Sequence, residues 1–401
     1  MKPARISARG AGAPASPIRK LFPLAVGARS RGTKIYGLNI GQPDLPTPEA
    51  MWAAIREEAP TILAYSPSEG IPELRQAISQ YYRGHQIDLA PEQIIVTTGG
   101  SEAISLSLGA VTDPGDEVLV PEPLYANYLG FAHLLGVRVV PIPTEASSGY
   151  HLPPRAAWEE RLTSRTRAIL ICNPGNPTGT VYRREELEMV LALAADWGLF
   201  VLADEVYREF CFDGAVHHSF LTLGGPTDRV ILLDSVSKRF SACGARIGSL
   251  GTTNPEVYRA CLHFAQARLS PPSLGQIMAT RAYGLGPEYY TDLVAEYQAR
   301  RDAVMDALSG MEGVFCETPR GAFYAMITLP VDDADRFAGW MLSDFSHEGE
   351  TTFVAPGNGF YATPGAGARE VRLAYVLGAE RMKRAVEVLG AGLGAYPGRI
   401  R

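Results

Sequence analysis

Side chains capable of chemistry follow four apolar segments, each with the composition of a buried β-strand. In open α/β sheets, ligands bind outside the carboxyl ends of the strands, so residues there are the first candidates for a functional site. The segments are "QIIVTT", "RAILIC", "LFVLA" and "RVILLD". The residues that follow them are, in order, Gly100 and Ser101; Asn176; Asp204 and Tyr207; and Ser235, Ser237 and Lys238.

Lys238 lies among small hydroxyl residues in "DSVSKRFSACGARIG", eight positions before Arg246. Most lysines are solvated surface residues, and that is one interpretation of Lys238. The alternative is that burial and neighbouring positive charge lower the pKa of its amine. A neutral amine is a nucleophile that forms Schiff bases with carbonyl compounds.

The segment "GGSEA" follows a strand and begins a helical pattern. Free backbone N–H groups, a serine hydroxyl and the positive end of a helix together suit a phosphate. A tight glycine turn with Ser101 as a helix N-cap explains the same residues. The G-x-G-x-x-G fingerprint is absent after every predicted strand, which disfavours a nicotinamide-dependent dehydrogenase.

Asp204 follows a strand apolar enough to be buried on both faces, where a carboxylate is costly without a partner. It is either a helix N-cap or the partner of a protonated ring nitrogen. The second option completes a set of groups that pyridoxal phosphate requires. The set comprises a phosphate anchor, an acid for the ring nitrogen, donors to the phenolic oxygen and an amine: Gly100, Ser101, Ser235 and Arg246; Asp204; Tyr207 and Asn176; and Lys238.

The elements that position these residues alternate between strands and helices. Two further segments, "DEVLV" and "VRVVPI", also have strand composition, and "EELEMVLALAADWG" places Leu187, Val190, Leu191 and Ala194 on one helical face before Gly198. We therefore expect an α/β fold with a mostly parallel sheet and helices on both faces.

A smaller α+β domain is expected at the C-terminus. It begins with the helical pattern "YYTDLVAEYQARRDAVMDALS" and continues into "GVFCETPRGAFYAMITLP", which we predict to form paired strands. The first forty-odd residues cannot form a core alone and are expected to pack on this region. The predicted division is 1–48 for an N-terminal arm and part of the small domain, 49–288 for the large domain, and 289–401 for the rest of the small domain.

Composition excludes several classes of function. The 401-residue chain is 46% hydrophobic, has a formal net charge of -6 and contains no basic stripe that would follow a phosphate backbone, so nucleic acid is not an expected partner. No segment has the length of a signal peptide's apolar region or a membrane span, and we expect a cytoplasmic protein with a loose N-terminal arm. The cysteines are scattered singly, and adjacent His217 and His218 are expected in a surface loop; no metal site is predicted.

The motifs as a whole resemble the fold type I pyridoxal phosphate enzymes, and more closely the class I aminotransferases of the aspartate aminotransferase type. The resemblance extends from about Ser16 to Leu389. Its motifs are "LNIGQPDLPTP", "AYSPSEGIPELRQAI", "VTTGGSEAISL", "NPGNPTG", "ADEVYREF", "SVSKRFSACGARIG", "GAFY", "APGNGF" and "VRLAYV".

The resemblance implies a role for individual residues. Lys238 matches the Schiff-base lysine, Asp204 the pyridinium partner, and Tyr207 and Asn176 the donors to the phenolate. Ser235, Ser237, Arg246, Gly100 and Ser101 match the phosphate site. Tyr125 matches a ring stacked on the cofactor, and a core tyrosine is the less favoured alternative. Tyr65 matches a tyrosine that reaches the phosphate of the neighbouring subunit, which implies a homodimer. Gly41 and Arg372 match residues at the substrate, Arg372 gripping its α-carboxylate.

The implied reaction moves the amino group of an L-amino acid to a keto acid such as 2-oxoglutarate. A β- or γ-eliminating lyase or a synthase of the same fold is an alternative that the motifs hardly distinguish, and a cofactor-sensing regulator is a third. Aspartate is our expected substrate, with Arg268 as the candidate cation for its distal carboxylate. Aromatic residues such as Tyr36 and Phe22 could instead line a pocket for apolar substrates.

Overall fold

The computed structural model describes residues 4–400. Its central element is a seven-stranded sheet of strand order β2-β8-β7-β6-β5-β3-β4, in which only β8 runs antiparallel to its neighbours. The strands of the described chain are β1 Lys34–Gly37, β2 Ile94–Thr97, β3 Glu117–Glu122, β4 Arg138–Pro143, β5 Thr166–Cys172, β6 Phe200–Asp204, β7 Val230–Ser235, β8 Gly248–Gly251, β9 Tyr324–Thr328, β10 Glu350–Phe353, β11 Ala355–Pro356 and β12 Glu370–Ala374.

Both faces of this sheet are covered by apolar residues. Alternate residues of β5 illustrate the arrangement, because Ile169 and Ile171 belong to one core cluster while Ala168 and Leu170 belong to another. Successive side chains of a strand point to opposite faces, so two clusters on one strand mean two buried faces. The expected α/β architecture with helices on both faces is therefore confirmed.

Helices connect and cover the strands. The helix α8 shows how the local sequence sets its limits: the Glu186 carboxylate accepts from the backbone N–H of Arg183 at 2.7 Å, and Gly198 ends the helix with a φ of 66°. The helices are α1 Ala8–Ala11, α2 Phe22–Ser30, α3 Glu49–Glu58, α4 Pro72–Gly84, α5 Gly99–Val111, α6 Asn127–Leu135, α7 Arg155–Glu159, α8 Arg184–Trp197, α9 Val236–Arg239, α10 Pro255–Arg268, α11 Ser273–Ala282, α12 Pro287–Leu308, α13 Ala334–Ser343 and α14 Ala379–Ala395.

The remaining strands form two small sheets. In one, β1 pairs in parallel with β10, so the N-terminal segment joins the C-terminal region. In the other, β12 lies between β11 and β9 and is antiparallel to both. The helices α12 and α14 pack against each other beside these sheets. The residue boundaries of the two domains stay a prediction.

Two details of the strand prediction were incomplete. The strand β8 was not predicted, because its sequence "GSLG" has two glycines and no β-branched residue. The stretch before β9 was expected to pair with it, but β9 pairs over its whole length with β12, and Phe315 contributes a single bridge to Thr328.

Across residues 4–400, no helix combines the length and the apolar character needed to cross a membrane.

Candidate active site

The carboxyl ends of β5, β6 and β7 and the start of α5 open into one cavity of about 390 Å³. Strands far apart in sequence deliver their last residues to the same edge of the sheet, as the α/β topology requires. With one exception, Tyr65, every residue that the resemblance places at the cofactor or the substrate lines this cavity. They are Gly41, Gly100, Ser101, Tyr125, Asn176, Asp204, Tyr207, Ser235, Ser237, Lys238, Arg246 and Arg372.

The start of α5 forms one wall of the cavity. The helix begins at Gly99, whose φ is 74°, and a Cβ atom there would collide with the Arg246 guanidinium. Glycine is therefore required both by the backbone conformation and by the close approach of Arg246. Ser235 and Ser237 stand opposite, with their hydroxyl oxygens 2.8 Å apart. Helix N–H groups, two hydroxyls and a guanidinium make this wall suitable for a phosphate.

Asp204, at the end of β6, is buried and accepts a hydrogen bond from the Tyr128 hydroxyl at 2.6 Å. Burial raises the pKa of this carboxyl group to about 6, with the Tyr128 hydrogen bond and the charge of Lys238 opposing the rise. A buried acid with a raised pKa is stabilised in its charged form by a nearby cation, such as a protonated ring nitrogen.

Lys238 lies on the four-residue helix α9, directly after β7. Its amine donates a hydrogen bond to the Gly41 carbonyl at 2.7 Å. Burial lowers the pKa of the amine, and the positive charges of Arg372 and Arg246 lower it further, while Cys243 opposes the shift. The shift increases the fraction of neutral, nucleophilic amine, as the sequence analysis expected for a reactive lysine.

Tyr207 and Asn176 lie side by side. The Asn176 amide donates to the Tyr207 hydroxyl at 3.4 Å, and the same hydroxyl lies 2.9 Å from that of Tyr324. Desolvation by burial raises the pKa of Tyr207 well above its usual value, so its phenol stays protonated at neutral pH and can donate a hydrogen bond.

Arg372, on β12, reaches the cavity from the smaller sheet. Its guanidinium is buried and donates to the Asn176 side-chain oxygen at 3.0 Å and to the Asn39 carbonyl at 2.6 Å. Its Nε atom is buried and makes no hydrogen bond within residues 4–400. Burial lowers the pKa of this guanidinium, which marks a positive charge short of anionic partners. A carboxylate ligand would supply one.

Tyr125 and Gly41 complete the cavity. The ring of Tyr125 packs edge-on against Tyr128 at 5.3 Å between centroids, and its hydroxyl accepts from Asn127 at 2.6 Å. A Cβ atom at Gly41 would collide with the Tyr324 hydroxyl, so the chain passes here only because this residue is glycine. The cofactor-stacking role of Tyr125 and the substrate role of Gly41 stay predictions.

Several residues considered from the sequence lie elsewhere. The Arg268 guanidinium pairs with Glu102 at 3.1 Å and does not line the cavity, because α10 holds it against the outer side of α5. Tyr36 bonds to Glu350 and Phe22 packs on Phe353, so neither reaches the cavity. Tyr65 is 79% exposed outside the cavity.

The loop that carries His217 and His218 is less exposed than expected. Both residues are partly buried, and the ring of His217 lies 3.5 Å from Glu205. No cluster of three or more potential metal ligands occurs between residues 4 and 400. The described cysteines, Cys172, Cys211, Cys243, Cys261 and Cys316, are free thiols.

The structure adds residues to the site that sequence reasoning did not assign. Tyr128 lies one helical turn after Tyr125, a spacing that could have placed both at the same site. Tyr324 is the last residue of the quoted "GAFY" motif. Ser16, Ile18 and Arg19 also line the cavity, and no local signal in a basic, proline-containing arm marks them.

These residues fit pyridoxal phosphate. The glycine at the start of α5, where a Cβ would displace Arg246, lets the Arg246 guanidinium approach the helix start, where backbone N–H groups can hold an anion. The buried Asp204, the Tyr207 phenol and the Lys238 amine match a ring nitrogen, a phenolic oxygen and an aldehyde, and the unpartnered Arg372 Nε remains for the substrate.

Comparison with known proteins agrees with this geometry. Residues 33–389 match the family model described as aminotransferase class I and II. A probable aspartate/prephenate aminotransferase of Aquifex aeolicus is 31% identical over 385 residues, which cover 92% of this chain and 93% of the relative. An aromatic-amino-acid aminotransferase of Thermococcus litoralis is likewise 31% identical over 380 residues, covering 93% and 94%.

A solved aspartate aminotransferase from Thermus thermophilus, a single mutant, superposes with a TM-score of 0.89 at 29% identity, covering 97% of this chain and 100% of that one. The bifunctional aspartate aminotransferase and glutamate/aspartate-prephenate aminotransferase of Petunia hybrida is longer: this chain is 35% identical to it and spans 63% of its length. Fold and sequence together define a fold type I transferase. The chain belongs to the class I and II aminotransferase family, as the motifs predicted.

Proposed function

We propose that this protein is a pyridoxal phosphate-dependent aminotransferase, which transfers the amino group of an L-amino acid, with aspartate as the best candidate, to a keto acid such as 2-oxoglutarate. The observation that carries the proposal is the meeting of Lys238, Asp204, Arg372 and the start of α5 in one cavity. The cytoplasmic location expected from the sequence is part of the same proposal.

The cofactor would be held by residues of α5, β6, β7 and α9, together with Arg246. Its phosphate would lie at the start of α5 with Ser235, Ser237 and Arg246, and its ring nitrogen would face Asp204. When bound, pyridoxal phosphate supplies an aldehyde that takes up an amino group and a ring that spreads the negative charge left by proton loss. The Tyr128 hydrogen bond orients the Asp204 carboxylate, which would keep a proton on the ring nitrogen.

Lys238 would act as the base that removes the proton from the α-carbon, and its ammonium group would return a proton to the cofactor within the same half-reaction. Burial and the nearby guanidinium groups lower the pKa of its amine, which is what a base near neutral pH requires. The Gly41 carbonyl, 2.7 Å away, fixes the amine inside the cavity.

Arg372 would bind the substrate α-carboxylate. Two of its nitrogen atoms are engaged by Asn176 and Asn39, which orient the planar group, and its Nε has no partner among the residues described. A bidentate contact would hold the α-carbon at a fixed distance from the Lys238 amine.

The absorbance spectrum of the purified protein tests this function. An aminotransferase should show a visible band from bound cofactor, and an amino acid added without keto acid should bleach it stoichiometrically while one equivalent of keto acid is released. A band that persists while ammonia and pyruvate accumulate would point to the lyase alternative. A protein that takes up no pyridoxal phosphate would contradict the proposal altogether.

We also propose a homodimer with shared active sites. Tyr65 matches a residue that contacts the cofactor of the neighbouring subunit, and it lies beside exposed Ile62 and Leu63 on a loop whose Ala64 carbonyl accepts from Ser273 at 3.1 Å. An exposed apolar loop held in place by the fold is typical of an interface.

A mixing experiment tests the sharing of sites. Lys238→Ala and Tyr65→Ala variants should each have low activity, and a hybrid of the two should regain one working site, because the Lys238→Ala chain still supplies Tyr65. No recovery in a hybrid verified by native mass spectrometry would contradict a shared site, and a monomer in sedimentation would contradict the dimer itself.

A further inference from the structure

Four cationic side chains line the cavity. In the proposed function, three of them each bind a group of the cofactor or the substrate. Lys238 serves the aldehyde, Arg246 the phosphate and Arg372 the α-carboxylate. The fourth is Arg19, from the N-terminal segment. Its side chain forms no ion pair or hydrogen bond with any residue in the range 4–400, in contrast to Arg268, which pairs with Glu102, and Arg300, which pairs with Asp44.

The backbone around Arg19 is fixed. Ile18 packs with Ala126 and Phe360, and a Cβ atom at Gly359 would collide with Pro17, so the segment lies tightly on the body of the protein. Arg19 is therefore an exposed cation without a partner among residues 4–400, and it lies on an anchored turn, not at the end of a loose arm.

A single residue links this turn to the proposed α-carboxylate site. The Asn39 side chain donates to the Ile18 carbonyl at 3.3 Å, and the Asn39 carbonyl accepts from Arg372 at 2.6 Å. One asparagine thus links the backbone of the turn that carries Arg19 to the Arg372 guanidinium, an arrangement that suits a substrate with a carboxylate at each end.

We infer that Arg19 binds the distal carboxylate of a dicarboxylic amino acid or keto acid, making it a specificity-determining residue that the same chain supplies. This inference rests on the proposed function and names its substrate class. It replaces Arg268, whose guanidinium is already engaged by Glu102 and by the Val96 carbonyl at 3.1 Å.

Kinetics of Arg19→Gln in the holoenzyme test the inference. We expect kcat/KM for glutamate and aspartate to fall by about 10- to 100-fold, the range for loss of a charged hydrogen bond. Their straight-chain counterparts without a second carboxylate, norvaline and 2-aminobutyrate, should change less than about threefold. Arg19→Lys should restore part of the loss. The matched control is Lys20→Gln, which removes the adjacent cation and should leave the ratio between the two substrate classes unchanged.

Binding gives a second readout that does not depend on turnover. Glutarate should bind the wild-type holoenzyme more tightly than pentanoate in a calorimetric titration, and Arg19→Gln should abolish that difference. Equal losses for charged and neutral ligands, or a wild type that prefers neutral substrates, would overturn the assignment of Arg19 while leaving the aminotransferase proposal intact. A wild type that binds cofactor but transaminates no amino acid would refute the proposed function, and the glutarate titration would still decide the role of Arg19.

Discussion

Lys238 and Arg239 are adjacent cations on α9 with opposite environments. Arg239 is fully buried in an ion pair with Asp234, and its guanidinium lies 4.7 Å from the centre of the Tyr81 ring. Lys238 faces a cavity shared with three further cations, and its amine is bound by a neutral carbonyl. Arg239 is neutralised inside the protein, whereas the cations of the cavity retain the capacity to bind anions from outside.

The same contrast holds around these two residues. Near Arg239, a second buried pair joins Arg208 to Glu205 at 2.7 Å, and Ser219 donates to the same carboxylate at 2.9 Å. In the cavity, Arg372 has no carboxylate partner within residues 4–400, and its hydrogen bonds go to the neutral oxygens of Asn176 and Asn39. Arginines paired with carboxylates are neutralised within the chain, and a cation without such a pair at a cavity is a candidate for binding an anionic ligand.

The largest effect should come from Lys238→Ala. Removal of the base should reduce kcat by at least about 10²-fold, because general-base catalysis alone contributes about 10²- to 10⁴-fold. Stopped-flow half-reactions and steady-state assays measure the loss. Lys238→Arg is the control for charge: it keeps a cation and should be equally inactive. Turnover within tenfold of the wild type in either variant would remove Lys238 from the chemistry.

Arg239→Met should lower the free energy of unfolding by about 3–5 kcal/mol, because it leaves the buried Asp234 without its partner. The double variant Asp234→Asn/Arg239→Met should lose less, since no unpaired charge remains. Urea denaturation followed by circular dichroism measures both. If the single variant lost under about 1 kcal/mol, the distinction between paired and ligand-binding cations would fail.

The stability of the cofactor-free protein should depend on Asp204 between about pH 4 and pH 6. Burial raises the pKa of this acid in the folded state to about 6, above its ordinary value of 3.8. Within that window the folded state binds the proton more tightly, so the free energy of unfolding should decrease as pH rises and level off above pH 6. The total change should be at most about 3 kcal/mol.

Asp204→Asn provides the comparison for that pH dependence. The difference between wild-type and variant unfolding curves isolates the contribution of Asp204, since all other titrating groups are shared. A difference that is independent of pH would show that Asp204 does not have a raised pKa in the folded protein.

The smallest effect should come from Arg268→Gln. The Arg268–Glu102 pair is partly exposed, so its loss should cost about 1 kcal/mol or less in stability. The ratio of kcat/KM for glutamate to that for norvaline should stay within about threefold of the wild type. A tenfold fall in that ratio would return the distal-carboxylate role to Arg268.

Site residues could be predicted where they directly follow a recognisable strand, and could not be predicted where contacts distant in sequence place them. Apolar strands and the residues directly after them, such as Asp204 and Lys238, are marked by neighbouring sequence, and the parallel topology brings them together. Arg19 could not be predicted, because its place at the cavity depends on contacts of its neighbour Ile18 with Asn39 and Phe360, which are distant in sequence.

Two other differences have similar causes. The glycine-rich β8 carries no strand propensity and is held by its neighbours β2 and β7. The sequence does not show that Arg268, the last residue of α10, has a partner within the chain. The packing of α10 against α5 reveals Glu102 as that partner. In both cases tertiary context, absent from the local sequence, decided the outcome.

Borohydride reduction of the holoenzyme, followed by peptide mass spectrometry, tests the central claim most directly. Reduction fixes pyridoxal phosphate to whichever amine carries it, and the chain offers other lysines at Lys2, Lys20, Lys34 and Lys383. Stoichiometric modification of Lys238 alone is the predicted result. Modification at another lysine, or none in a protein saturated with the cofactor, would contradict the assignment of this cavity as the active site.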